Sequence, residues 1–273
     1  MPRTLTQATR QALMARLRFY RDLGITDFYR RPVETVADVA APPHDEGDRL
    51  EPVAVSDLAQ EAISIPSRKT KLNPQSVSPT AAADRESALR IIREDIGDCT
   101  RCALHKGRNK IVFADGSAAA RLMFVGEGPG ADEDAQGLPF VGRAGQLLNN
   151  MITAMGLGRE EVYIANVVKC RPPGNRTPEP EEANTCLPFL LRQIDVVKPE
   201  VLVALGATAA TYLLGQRQPL AGLRGRVHSV RGSRLIVTYH PAFLLRDPRQ
   251  KKEAWADLQI AMRELGLKLP SRT

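Results

Sequence analysis

Between residues 85 and 265 the apolar positions fall into two recurring patterns. Short, nearly solid apolar or β-branched runs predict buried strands over Arg121–Val125, Val162–Val168, Val201–Leu205 and Leu235–Tyr239. Longer stretches with apolar residues three and four apart predict helices over Ser87–Ile96, Gly142–Met155, Glu179–Val197, Ala207–Leu214 and Gln250–Leu265. Strand and helix alternate, and the helices are long enough to cross over between parallel neighbours. The expected fold is α/β: a three-layer α/β/α domain over 85–273 with a mainly parallel, four-stranded central sheet. Ligands of such sheets bind beyond the carboxyl ends of the strands. The informative loops are therefore those after Val125, Val168, Leu205 and Tyr239.

Upstream the pattern changes. Residues 1–31 carry helical-period apolar positions at Leu13, Leu17 and Tyr20, with Phe28 following a break at Gly24, and read as an appended helical element. Residues 32–84 are rich in Pro, Ala, Ser and Asp without sustained periodicity and read as a disordered linker. No apolar run approaches the roughly 18 residues of a membrane span, and the amino terminus lacks a continuous apolar segment before a small-residue cleavage site. The expectation is a soluble, cytoplasmic chain with no membrane partner.

Composition sharpens this only in places. The net charge is +7, and residues 1–85 are close to balance, so the basic excess belongs to the folded part. The stretch Gly222–Arg234 holds Arg224, Arg226, Arg231 and Arg234 with no acid. It suits either a polyanion such as a nucleic-acid backbone or a solvated loop.

Two features carry chemistry. The loop GEGPGADEDAQGLPF, Gly126 to Phe140, places Glu127, Asp132, Glu133 and Asp134 beside Gly128 and Gly130 at a predicted strand end. Glycines alone would suggest a phosphate cradle, but so many acids would repel a phosphate. No Gly-Lys-Ser/Thr triplet follows, and no suitable G-x-G-x-x-G opens a helix after a strand, which counts against kinases and dehydrogenases. The chain also has four cysteines. Cys99 and Cys102 form a C-x-x-C before the first strand, and Cys170 and Cys186 bracket the loop after the second. In a reducing compartment they read as one Cys₄ site, for which zinc and a [4Fe–4S] cluster both fit, or as ordinary buried thiols.

GEGPGADEDAQGLPFVGRAGQLL, VYIANVVKCRPPGNRTP with Cys186 downstream, VLVALGATAATYLLG and YHPAFLLR stand in a series that resembles the type 4, iron–sulfur uracil-DNA glycosylases. The likeness covers roughly Ile91 to Leu265 and leaves residues 1–85 outside it. It implies a [4Fe–4S] cluster on Cys99, Cys102, Cys170 and Cys186, and hydrolytic removal of uracil from DNA. Two departures from neighbouring groups matter. The loop KCRPPGNRTPEP lacks the KRRIH-like insertion of a relative that crosslinks to DNA, so turnover is expected. Gly128 stands where glycosylases with a GQDPYH-type motif have an Asp, so the water-activating carboxylate is either elsewhere or dispensable.

The resemblance implies roles. Uracil must leave the stack and enter a pocket. Phe140 would stack on the extruded base, a contact worth on the order of 1–3 kcal/mol. Asn166 would present a donor and an acceptor to uracil O4 and N3–H, an order that cytosine inverts. His240 would donate toward O2, where negative charge develops as the bond breaks. Glu127 and Glu133 are the carboxylates expected to stabilise a cationic sugar or orient water, while Asp134 suits a cap. Gly128 would let backbone approach the base. The resemblance also places Asn175 at the active-site or DNA face; by their own chemistry Arg176 and Arg246 suit phosphate contacts and Leu244 an apolar wedge into the emptied stack. The competing readings are a DNA- or nucleotide-binding protein of the same fold without glycosylase activity, and a replication-associated scaffold. In the latter, residues 1–85 would dock a protein partner. A monomer is expected.

Overall fold

The structure, a computed structural model, describes residues 79–269. The helical element over 1–31 and the linker over 32–84 lie outside the described residues, apart from residues 79–84. Those residues open the first helix, α1 (Pro79–Ile96), which starts ahead of the expected Ser87.

The domain is a three-layer α/β fold around a mixed six-stranded sheet rather than a four-stranded one. The strands are β1 (Asp115–Gly116), β2 (Leu122–Gly126), β3 (Tyr163–Asn166), β4 (Val201–Leu205), β5 (Val227–Val230) and β6 (Ser233–Thr238), in the order β1-β3-β2-β4-β6-β5. The inner four, β3-β2-β4-β6, are parallel and are those the apolar runs predict. The two edges are antiparallel additions. β1 is too short to leave a periodic signal. β5 lies inside the Arg-rich stretch, where its half-exposed Val-His-Ser-Val pattern is masked by the charges around it. Arg231 and Gly232, both at positive φ (50° and 85°), make the tight turn into β6.

Along β2, Met123 and Val125 face one core while Leu122 and Phe124 face the other, and β4 alternates likewise. One core is closed by α1 together with α4 (Pro180–Val197), α5 (Ala207–Leu214) and α6 (Leu220–Leu223). The other is closed by α3 (Arg143–Ala154) and α8 (Lys251–Glu264). The remaining short helices, α2 (Ala131–Gln136) and α7 (Pro241–Arg246), lie in the loops that follow β2 and β6. Both loops leave the carboxyl edge of the sheet. From β2 the chain passes to β3 on one side and later to β4 on the other, so the loops after β2 and β4 diverge and open a crevice.

Candidate active site

That crevice is a cavity of about 610 Å³. Glu127, Gly128, Glu133, Phe140, Asn166, Asn175, Arg176, His240 and Arg246 all line it. These residues span more than a hundred positions of sequence and meet because the parallel strands end together.

Asn166 is the last residue of β3, opposite Gly126 of β2. It is 1% exposed, and among the described residues its Oδ1 has no hydrogen-bond partner. A buried, unpaired amide oxygen costs on the order of 1–3 kcal/mol, and the Asn166 amide that carries it borders the cavity. A Cβ on Gly126 would lie 2.3 Å from Asn166 Oδ1 and 2.5 Å from Phe140 Cζ. Both side chains therefore stand directly over this glycine. Phe140 itself is at φ 52°, a left-handed conformation that costs a non-glycine residue about 1–2 kcal/mol. Its ring centroid is 5.7 Å from that of His240.

His240 precedes Pro241 and caps α7: its Nδ1 accepts the Ala242 N–H at 3.1 Å. With Nδ1 accepting, a neutral ring carries its proton on Nε2. Burial, aided by the positive charge of Arg246 and opposed by Glu133, lowers the pKa from 6.5 to about 4. The side chain is then a neutral donor throughout the physiological range.

The acids divide into two kinds. Glu133 Oε1 accepts the N–H groups of Val141 and Gly142, both at 2.9 Å, and Oε2 accepts that of Gly130 at 3.0 Å. Its carboxylate staples both ends of the α2 loop. Asp134 is fully buried inside α2, whose N-cap is Gly130, and rather than capping its own helix it accepts from the Asn109 backbone and side-chain amides at 2.9 and 2.6 Å. Glu127 is different. It is half-buried, and its Oε2 accepts the hydroxyl of Thr208, the second residue of α5. Asp132, noted in the sequence but given no role there, is exposed on the cavity wall. Gly128 presents backbone there. A Cβ at this position would lie 2.7 Å from Val168 Cγ2, so the tight packing against β3's continuation leaves no room for an Asp.

The cationic rim also differs from expectation. Arg176 forms a two-pronged pair with Glu182 at 2.7 and 2.9 Å, and Asn175 Oδ1 accepts from Arg171 at 2.8 Å. Arg246 is exposed, as is Arg143, which sits on the cavity wall at the first position of α3. A cation at the positive end of a helix works against the dipole, so Arg143 is a functional candidate that no sequence pattern distinguishes. Leu244, expected as a wedge, is 1% exposed on the buried face of α7, whereas Leu245 beside it is 37% exposed. Within the Gly222–Arg234 stretch three of the four arginines enter ion pairs, while Arg226 is exposed. Arg224 pairs with Asp257 at 2.7 Å and lies 4.0 Å over the Tyr239 ring. Arg231 pairs with Asp195 at 2.6 Å and Arg234 with Glu264 at 2.9 Å.

Cys99, Cys102, Cys170 and Cys186 line one small cavity with Ile96 and Phe189, on the side of the sheet closed by α1 and α4. All four are free thiols. Among the described residues no group of three or more His, Cys, Asp or Glu is drawn together tightly enough to ligate a single metal ion. Burial raises the pKa of Cys102 and Cys170, and lifts that of Cys186 to about 11. Arg108 reaches over the thiols, donating to the Cys99 carbonyl at 2.6 Å and to Cys170 Sγ at 3.4 Å. Lys169 is a further buried cation that the sequence pattern hides among apolar neighbours. Its ammonium donates to the Asn166 carbonyl at 2.9 Å and to Gln193 Oε1 at 2.6 Å, while its backbone N–H donates to Cys186 Sγ at 3.3 Å. One residue thus touches both the end of β3 and the cysteine cavity.

The model of the uracil DNA glycosylase superfamily matches residues 113–259. The chain is 48% identical over 165 residues to a type-4 uracil-DNA glycosylase of Thermotoga maritima, an alignment covering 60% of this chain and 86% of that relative. It is 41% identical over 194 residues to one of Archaeoglobus fulgidus, covering 68% and 97%. A type-5 uracil-DNA glycosylase of Pyrobaculum aerophilum is more distant, at 33% over 144 residues. With matches of this length over the strands and loops that build the cavity, the chain belongs to the uracil DNA glycosylase superfamily and, within it, to the type-4 uracil-DNA glycosylases.

Proposed function

We propose that this protein flips uracil out of DNA and hydrolyses its N-glycosidic bond, leaving an abasic site. The observation that carries this reading is the unpartnered Asn166 Oδ1, buried beside Phe140 at the base of the cavity. Uracil N3–H supplies the missing donor, and the Asn166 amide N–H meets O4. Cytosine presents the opposite order and leaves both groups opposed. Phe140 stacks on the base, and His240 Nε2–H donates toward O2 as charge accumulates on the departing ring. Because His240 is neutral, it stabilises the uracil anion by hydrogen bonding rather than by proton transfer.

Glu127 is the carboxylate that serves the cationic sugar and the attacking water. One of its oxygens is steadied by Thr208, whereas the Glu133 oxygens already accept three backbone N–H groups. Arg143 and Arg246 meet phosphates at the rim, with Asn175 and Arg176 shaping the loop between them. Leu245 is the wedge for the emptied stack.

The four cysteines hold a [4Fe–4S] cluster. The support is the donor set: four thiols around one small cavity, attended by the Arg108 guanidinium and the Lys169 backbone N–H. Such a cluster would tie the segment after α1 to the loop between β3 and α4. Protein purified without oxygen should contain about four irons and four sulfides per chain. One zinc and no sulfide would refute the cluster.

The function is tested by incubating the full chain with a uracil-containing oligonucleotide and cleaving with alkali. Strand scission at uracil is expected. Asn166→Asp should lower that rate on the order of 100-fold, the cost of opposing a buried hydrogen-bond pair, without an equal fall on cytosine. An unchanged preference for uracil over cytosine would remove Asn166 from the recognition role.

A further inference from the structure

We propose that Arg159 is a positioning residue for base stacking: it clamps the backbone that aims the Phe140 ring into the cavity. The inference rests on the uracil-excision reading and adds a residue that lies outside the cavity wall. Phe140 holds a positive φ of 52°, which its own side chain disfavours, so neighbouring groups must hold it there. Arg159 supplies that hold. It stands in the turn before β3, and its guanidinium donates to two successive carbonyls, that of Pro139 at 2.6 Å and that of Phe140 at 3.1 Å. The same group is fixed from behind by Asp115 of β1 at 2.7 Å and by Asn149 Oδ1 of α3 at 2.7 Å.

The fork geometry is the reason for arginine here. A planar guanidinium can address two carbonyls and two side-chain acceptors at once, and an ammonium cannot. The other side of the Phe140 carbonyl is closed by α3, where a Cβ on Gly145 would lie 2.0 Å from that oxygen. The carbonyl is therefore gripped between a helix backbone and a guanidinium, and the phenyl ring projects from the opposite side toward His240. The two-residue edge strand β1, paired with β3, thereby brings Asp115 to the clamp.

The test is a double-mutant cycle in the full chain, joining Arg159→Gln with Phe140→Leu. Single-turnover excision from a uracil oligonucleotide, inhibition by free uracil and melting temperature are measured. Arg159→Gln should weaken inhibition by free uracil and slow excision about tenfold, the order of one base–aromatic stacking contact. In the Phe140→Leu background it should have little further effect on either. A clamp that serves only folding would lower the melting temperature and leave inhibition by uracil unchanged. That outcome, or penalties that multiply in the double variant, would overturn the proposal. Should Arg159→Gln fail to fold, the same cycle with Arg159→Lys decides, since the lysine keeps the pair with Asp115 but spans only one carbonyl. If Phe140→Leu itself leaves uracil inhibition unchanged, the stacking reading falls, and that failure is visible separately from failure of the clamp.

Discussion

His240 shows how one side chain is tuned by its surroundings. Its unfolded pKa is near 6.5 and its folded value is about 4, held down first by burial and then by Arg246. The unfolded chain therefore takes up a proton before the folded one does. The stability tied to this site is fully present above about pH 6.5 and is lost as the pH falls toward 4. Across that window the melting temperature of His240→Asn should decline less steeply than that of the wild type. The excision rate should show no His240 ionisation near 6.5, and an acid limb of the wild type centred there would contradict a neutral donor. Asn166 makes a complementary point. Its partnerless oxygen is a defect for stability and a recognition element for function, the compromise expected where a site must accept a ligand.

The loop between β2 and α3 carries two glutamates whose roles separate once their partners are known. Glu133 joins Gly130 to Val141 and Gly142, closing the loop around α2. In Glu133→Gln the amide nitrogen would face a backbone N–H with a second donor, leaving at least one of these groups unsatisfied. A loss of about 1–3 kcal/mol is expected, read as a lower melting temperature. Glu127→Gln replaces an acceptor that, among the described residues, Thr208 alone engages. It should fold as the wild type does and slow excision on the order of 100-fold or more, as loss of a water-orienting base does. Equal melting temperatures with equal rate losses in the two variants would mean that the loop does not divide the roles this way. The turn formed by Arg231 and Gly232 is a second case in which local structure decides meaning. The hairpin of β5 and β6 carries Arg231 to Asp195 and Arg234 to Glu264, and Arg224 just ahead of it pairs with Asp257, so these three serve the fold.

For the whole domain, DNA affinity depends on which cations are free to meet phosphates. Arg143 and Arg246 are exposed on the rim of the cavity, whereas Arg231 and Arg234 are spent in intramolecular pairs. Plotted as log affinity against log salt, DNA binding should lose about one unit of slope per phosphate contact removed. Arg143→Gln or Arg246→Gln should each show this, and Arg231→Gln should leave the slope unchanged. The four parallel strands and the longer helices that cover them were legible in the order of residues, because hydrophobic period is a local property; Asn166 and His240 stood near predicted strand ends, and their roles, with that of Phe140, followed from the resemblance of their motifs to a known family. The edge strands were not, since β1 spans only Asp115–Gly116 and β5 is disguised by charge. Nor was the difference between Leu244 and Leu245, or between Glu127 and Glu133. Identical side chains have identical chemistry in a linear chain; burial, partners and free lone pairs belong to the packed molecule. Residue order decided which groups reach the carboxyl edge of the sheet, and tertiary contacts decided which of them remain unengaged there and so available to a base.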